Sequence, residues 1–197
     1  MPKGFYIDPE ITFDVAKMQE ALKEVDSRVA RQSPLGERDI NAICLTQVPG
    51  DPNSITGGNV RGLFWTKPDS TYEEVQREEV IDEEKYSEFV KLFEDTYFKE
   101  MYDTLTKKYK LGRIRLLWKL PRTTLSWHRD PEPRLHIPII SNYGARMCVD
   151  NVVHHMPADG HVWITDNTKY HNAFNGGEED RVHLVATVMD CDMSIFE

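Results

Sequence analysis

The chain has 197 residues, 40% hydrophobic and 29% charged, with a formal net charge of −9 at pH 7. That length suits a single domain, 1–197, with its own apolar core, and the acidic balance argues against a nucleic-acid partner and mildly against polyanionic substrates. No apolar run nears the roughly 18–20 residues that span a bilayer, MPKGFYIDPEITF does not read as a secretory signal, and Cys44, Cys148 and Cys191 are too few and scattered for a disulfide framework. The expectation is a cytoplasmic protein with free thiols and no membrane partner.

In chain order, Val15, Met18, Leu22, Val25 and Val29 recur at helical spacing and predict a helix over 11–32. INAICLTQV, residues 40–48, reads as a strand, and PGDPNSITGGN, residues 49–59, as a loop long enough to be a lid. Residues 73–100 carry eleven acidic and four basic residues, the composition of a solvated helical surface. Phe89, Leu92, Phe93, Thr96 and Tyr97 add an apolar stripe that predicts a helix over 83–109, with Gly112 as its stop.

From Arg113 the pattern changes. RIRLLWKL puts Ile114, Leu116, Trp118 and Leu120 on one side of a strand. Residues 134–140, 145–149, 161–165 and 181–189 follow as short strands separated by turn residues, the spacing of a sandwich or barrel. The class is therefore α+β: a mostly helical part, 1–112, with one strand and a loop, packed on a β-rich part, 113–197.

The segment SWHRDPEPRLHIPI holds the chemistry. His128-Arg129-Asp130 opens a kinase catalytic loop, but the Asn due five residues after the Asp is Leu135, and no Asp-Phe-Gly follows. A metal site fits better. Residues i and i+2 of a strand share a face, so His128 and Asp130 can stand side by side, as two ligands of a two-His-one-carboxylate iron site would. The third ligand comes from a distant strand, and of His136, His154, His155, His161, His171 and His183 the best placed is His171, after a strand and a turn. His154, His155 and His161 read as surface residues and His136 as a core histidine. Arg181 opens a core strand ten residues later. Two readings stand: it meets one carboxylate of a diacid cosubstrate, or it pairs with Glu178, Glu179 or Asp180 at the surface.

RLLWKLPRTTLSWHRD, RLHIPI and GHVWITDNTKYHNAFNGGEEDRVHLV, in that order, resemble the aspartyl/asparaginyl β-hydroxylase family over about residues 113–189. The resemblance implies a double-stranded β-helix (a jelly-roll, cupin-like core) and an Fe(II)- and 2-oxoglutarate-dependent dioxygenase using O2. It implies His128, Asp130 and His171 as metal ligands and catalytic centre, Arg181 on the distal carboxylate of 2-oxoglutarate, and Arg134 and His136 beside that cosubstrate. Two departures matter. Asp130 supplies a carboxylate that the peptide-modifying members lack, which points toward small-molecule hydroxylases. A hydroxyl that helps hold 2-oxoglutarate in some members falls at Leu117, with Thr123, Thr124 and Ser126 as substitutes. Asp166 reads equally as an orienter of the imidazoles and as a turn cap.

The expected substrate is a free amino acid or short peptide. Arg122, Arg129 and Arg146 are candidates for its carboxylate, and residues 59–65 with Trp65, Trp118 and Trp127 for the mouth, although aromatic residues are more often core. The main rival is a cupin-like protein that binds metal or 2-oxoglutarate without oxygenase activity.

Overall fold

The computed structural model describes residues 1–32, 40–58, 60–77 and 79–197. Asn59, at the end of the expected loop, and Glu78, in the acidic segment, lie outside the described residues. Two antiparallel sheets face each other. The larger has six strands in the order Phe5–Thr12, His161–Thr165, Arg134–Ile140, Arg181–Val188, Leu111–Lys119 and Ile40–Cys44. The smaller runs Val152–His154, Ala145–Val149, His171–Asn175, His128–Arg129, Phe64–Thr66 and Val75–Arg77, with Thr123–Thr124 also paired to His171–Asn175.

Alternation along the larger sheet separates its faces. Ile114, Leu116, Trp118, Leu135, Ile137, Ile139, Val182, Leu184 and Ala186 are buried together in the main apolar cluster. Two helices cover that face. Val15–Arg28 starts where Asp14 Oδ1 accepts from Lys17 N at 3.1 Å, a side-chain cap for an otherwise unpaired amide. It buries Met18, Ala21, Leu22 and Val25, three and four residues apart, and ends where Val29 turns extended. Tyr97–Leu105 buries Phe98, Met101 and Leu105 in the same layer. Each large side chain taken from water there contributes about 1.5–3 kcal/mol.

The N-terminal part is not mostly helical, which corrects the expectation. Phe5–Thr12 is a strand at the edge of the larger sheet, its register broken between Ile7 and Thr12. An edge and a bulge are where a sheet tolerates Pro9. The helix expected over 11–32 covers only Val15–Arg28. The one expected over 83–109 covers only Tyr97–Leu105, after two 3₁₀ turns, Glu83–Lys85 and Lys91–Phe93, and a strand, Glu88–Phe89, paired with Thr46–Gln47. Backbone groups explain the difference. Val90 N donates to Leu45 O at 2.9 Å, so a helix through Val90 lacks that donor. Leu92 is left exposed while Phe89 and Phe93 are buried.

The expected strands in the second half are present. Arg134–Ile140, Ala145–Val149 and His161–Thr165 have the expected bounds, and Arg181–Val188 stops one residue short of Met189. Among the described residues no helix is long and apolar enough to cross a membrane.

Candidate metal centre and pocket

The two-residue strand His128–Arg129 lies between Phe64–Thr66 and His171–Asn175, and its register sets His128 directly beside His171. Asp130 follows, its backbone N donating to Asn167 O at 2.8 Å. One nitrogen of each histidine and one oxygen of Asp130 all lie within 4.8 Å of one another. His128 Nδ1 is 2.6 Å from Ser126 O and His171 Nδ1 is 3.0 Å from Lys169 O. A carbonyl only accepts, so each Nδ1 carries the proton and each Nε2 keeps a lone pair. Both Nε2 atoms are 3.9 Å from an Asp130 oxygen. Burial lowers the His171 pKa to about 4, against the opposing pull of Asp130, so the ring is neutral at pH 7. Two imidazoles and a carboxylate, each oriented by a neighbour, make a donor set that fits Fe(II).

Two neighbours of this set were missed in the sequence. Asn167 Nδ2 lies 2.8 Å from His171 Nε2, and its Oδ1 accepts from the Thr165 hydroxyl at 2.6 Å. The amide and a metal therefore compete for one lone pair. Asp166 does not orient the imidazoles. Its Oδ1 accepts from Thr168 N at 3.2 Å and from the Thr168 hydroxyl, a turn cap.

Glu83 is the second. It lies in the acidic segment read as a solvated surface, yet it is 8% exposed. Arg113 holds one carboxylate oxygen through Nε at 2.9 Å and through Nη2, while Arg134 Nη2 and the Thr187 hydroxyl reach the other at 2.8 and 3.1 Å. Burial pushes the Glu83 pKa up, but Arg134, Arg113 and Arg115 outweigh it and hold the carboxyl well below its usual range. The signal was indirect. Arg113 and Arg115 alternate with buried apolar residues, so they point into the interior, where a guanidinium needs an anion. Arg134 also ties this group to the centre, its Nε 3.2 Å from Asp130 Oδ2.

A pocket opens beside His128 and Asp130, walled by Phe64, Leu117, Leu125, Arg115 and Glu83. Of the proposed hydroxyl substitutes only Ser126 lines it, since Thr123 and Thr124 donate to backbone carbonyls. The loop is tied down: Arg113 Nη1 donates to Gly57 O and Val60 O at 2.7 and 2.6 Å, and Arg115 Nη1 to Gly58 O at 3.1 Å.

Arg181 is buried, and burial alone lowers its pKa to about 9. Among the described residues no carboxylate pairs with it, and Glu178 pairs with Arg122 instead, so the surface pairing is not formed. His136 is buried on the neighbouring strand, and neither ring nitrogen has a hydrogen-bond partner among the described residues. Other expected contacts fall elsewhere. Arg129 takes Glu74 in two hydrogen bonds and stacks on Trp65, Arg146 lies over Tyr143, and Trp118 belongs to the apolar face under Arg31. Trp127 stacks on Tyr170. His154 and His155 are half-buried rather than exposed, and His161 pairs with Asp159.

Residues 78–190, more than half of the chain, match the family model for aspartyl/asparaginyl beta-hydroxylase. The chain belongs to that family. As an aspartyl/asparaginyl β-hydroxylase family member it is a 2-oxoglutarate- and Fe(II)-dependent hydroxylase that uses O2. A comparison with curated proteins gives no match. Solved structures share the fold. A 2OG-Fe(II) oxygenase family oxidoreductase from Burkholderia pseudomallei is 15% identical, with a TM-score of 0.50 over 93% of this chain and 83% of that one. A prolyl-4-hydroxylase from Pseudomonas putida is 11% identical, with a TM-score of 0.50 over 96% and 94%. HygX from Streptomyces hygroscopicus, solved with nickel and 2-oxoglutarate bound, is 10% identical, with a TM-score of 0.50 over 94% and 82%.

Proposed function

We propose that the chain hydroxylates a C–H bond of a free amino acid or of a side chain in a short peptide, with 2-oxoglutarate converted to succinate and CO2. The carrying observation is the convergence of His128, Asp130 and His171 within 4.8 Å of one another, beside a pocket lined by Arg113, Arg115 and Arg134 as well as Glu83. In this reading the facing sheets form a double-stranded β-helix, and residues 1–197 act as one domain, since strands from both halves build the larger sheet. Three free thiols support a reducing, cytoplasmic setting.

His128 Nε2, His171 Nε2 and an Asp130 oxygen hold the metal, and Fe(II) bound there supplies the coupling of O2 reduction to oxidative decarboxylation of the 2-oxoacid. The Ser126 and Lys169 carbonyls fix both rings as Nδ1–H tautomers. Arg134 steadies the Asp130 carboxylate. Arg181, with His136 near it, takes the distal carboxylate of 2-oxoglutarate. Phe64, Leu117 and Leu125 exclude water from the substrate side of the pocket. Arg122, Arg129 and Arg146 do not reach that side. Arg115 does, and its buried Nε has no hydrogen-bond partner among the described residues. That favours a substrate with a carboxylate of its own.

Succinate release, followed over a panel of amino acids and short peptides with Fe(II) and 2-oxoglutarate, tests the reading. Turnover that depends on one substrate and vanishes in His171→Ala is the expected result. Activity retained in His171→Ala overturns the ligand assignment. Metal and 2-oxoglutarate binding without turnover across the panel leaves the cupin-like binding protein.

A further inference from the structure

The interior face of the larger sheet holds a polar group for which the metal centre has no use. Arg181 and His183 alternate along one strand toward the smaller sheet, and the register sets Lys119 beside Arg181 and Leu117 beside His183. His183 is 1% exposed. Its Nδ1 lies 2.7 Å from Arg181 Nη2. A guanidinium only donates, so this Nδ1 accepts. Burial holds the His183 pKa well below its usual value, so the ring is neutral and its one proton sits on Nε2.

That Nε2–H is buried with no partner among the described residues. A buried donor left unmet is costly, and native interiors rarely keep one without a use. Here it stands next to a buried guanidinium that no carboxylate of the described residues neutralises. A second imidazole, His136, lies 5.8 Å away between ring centroids, with both nitrogens unpartnered among the described residues. Unmet donors beside an uncompensated cation suit one kind of guest, an anion with two oxygens.

We propose that His183 is a recognition residue for the distal carboxylate of 2-oxoglutarate, donating from Nε2 to the carboxylate that Arg181 neutralises. The inference rests on the cosubstrate reading above and adds to it a residue outside that assignment. The Arg181–His183 contact gives the pair its direction. By donating to Nδ1, the guanidinium fixes the tautomer that turns a donor outward. Arg181 supplies charge, and His183 supplies a donor at a set distance along the strand.

The test is calorimetry on the full chain loaded with Mn(II), titrated with 2-oxoglutarate and with 2-oxopentanoate, which keeps the oxoacid head and lacks the distal carboxylate. His183→Leu is expected to weaken 2-oxoglutarate about tenfold or more, the loss of one charge-assisted hydrogen bond. The same variant leaves 2-oxopentanoate and Mn(II) within about threefold. His183→Gln places an amide nitrogen near the Nε2 position and recovers most of the affinity. His183→Asn reaches only the Nδ1 position and does not. Equal weakening for both oxoacids, or equal behaviour of the Gln and Asn variants, means a packing role and overturns the proposal. Unchanged 2-oxoglutarate binding in His183→Leu overturns it while leaving the cosubstrate reading intact. If the unmutated chain binds Mn(II) but not 2-oxoglutarate, both fall together.

Discussion

The two faces of the larger sheet are written in alternate letters of the same strands, and they are stabilised in opposite ways. One carries Ile114, Leu116, Leu135, Ile137, Val182 and Leu184 and is closed by helices. The other carries Arg113, Arg115, Lys119, Arg134, His136, Arg181 and His183, all inward. The apolar face gains free energy from whatever covers it, and similar side chains can replace one another. The polar face is stable only while each charge keeps a partner, so its content is specified residue by residue. Function collects on the second face because a buried cation that is not fully neutralised is a demand for an anion.

The sharpest way to break this contrast is to remove the one carboxylate that several cations share. Glu83→Ala leaves Arg113 buried without its carboxylate partner, takes one of the carboxylates of Arg134 away, and is expected to cost about 3–5 kcal/mol, read from urea unfolding. The same pairing makes stability depend on acid. The Glu83 carboxyl titrates below its ordinary value of 4.5 in the folded chain. Its contribution is therefore complete above that value and is lost as pH falls below it toward the folded pKa. Unfolding curves between pH 7 and 3 should show a steeper loss for the unmutated chain than for Glu83→Gln. Equal slopes would mean that Glu83 is not the buried anion.

On the apolar face, Leu184→Ala is expected to cost about 2–5 kcal/mol through the cavity it opens. Metal affinity should not change, since the side chain points away from His128 and His171. A drop in metal affinity would show that the faces are mechanically linked. The smallest effect is at the edge of the helix layer. Asp14→Ala removes a cap and should cost about 1 kcal/mol, visible as a shift in urea midpoint with no change in slope.

The same contrast explains what was legible in the sequence. The strands of the larger sheet in the second half were, because short apolar runs that partly alternate are set off by turn residues. That His128, Asp130 and His171 come together was legible, because His128 and Asp130 stand two residues apart and His171 follows a strand and a turn. The first half misled for physical reasons. FYIDPEIT is interrupted by Pro9 and a bulge, which hides its period. Phe89, Leu92 and Phe93 sit at helical spacing, but Val90 N goes to Leu45 O and Glu88–Phe89 pairs with Thr46–Gln47, a competition decided by residues far along the chain. Glu83 was hidden by its neighbours, since one buried glutamate in a segment of eleven acids has no local mark. Its partners held the clue, on the polar side of RIRLLWKL.

The smaller sheet has a seam. Phe64–Thr66 and Val75–Arg77 join the rest of that sheet through His128–Arg129, and those two residues meet the next strand at one register position, His128 against His171. In its strand ladder, among the described residues, the sheet is therefore two panels joined at one register position, and that position is the pair of imidazoles. Whatever the two Nε2 atoms grip together acts as a rivet across the seam. Loading the centre and stiffening the wall of the pocket are, in this architecture, one mechanical event.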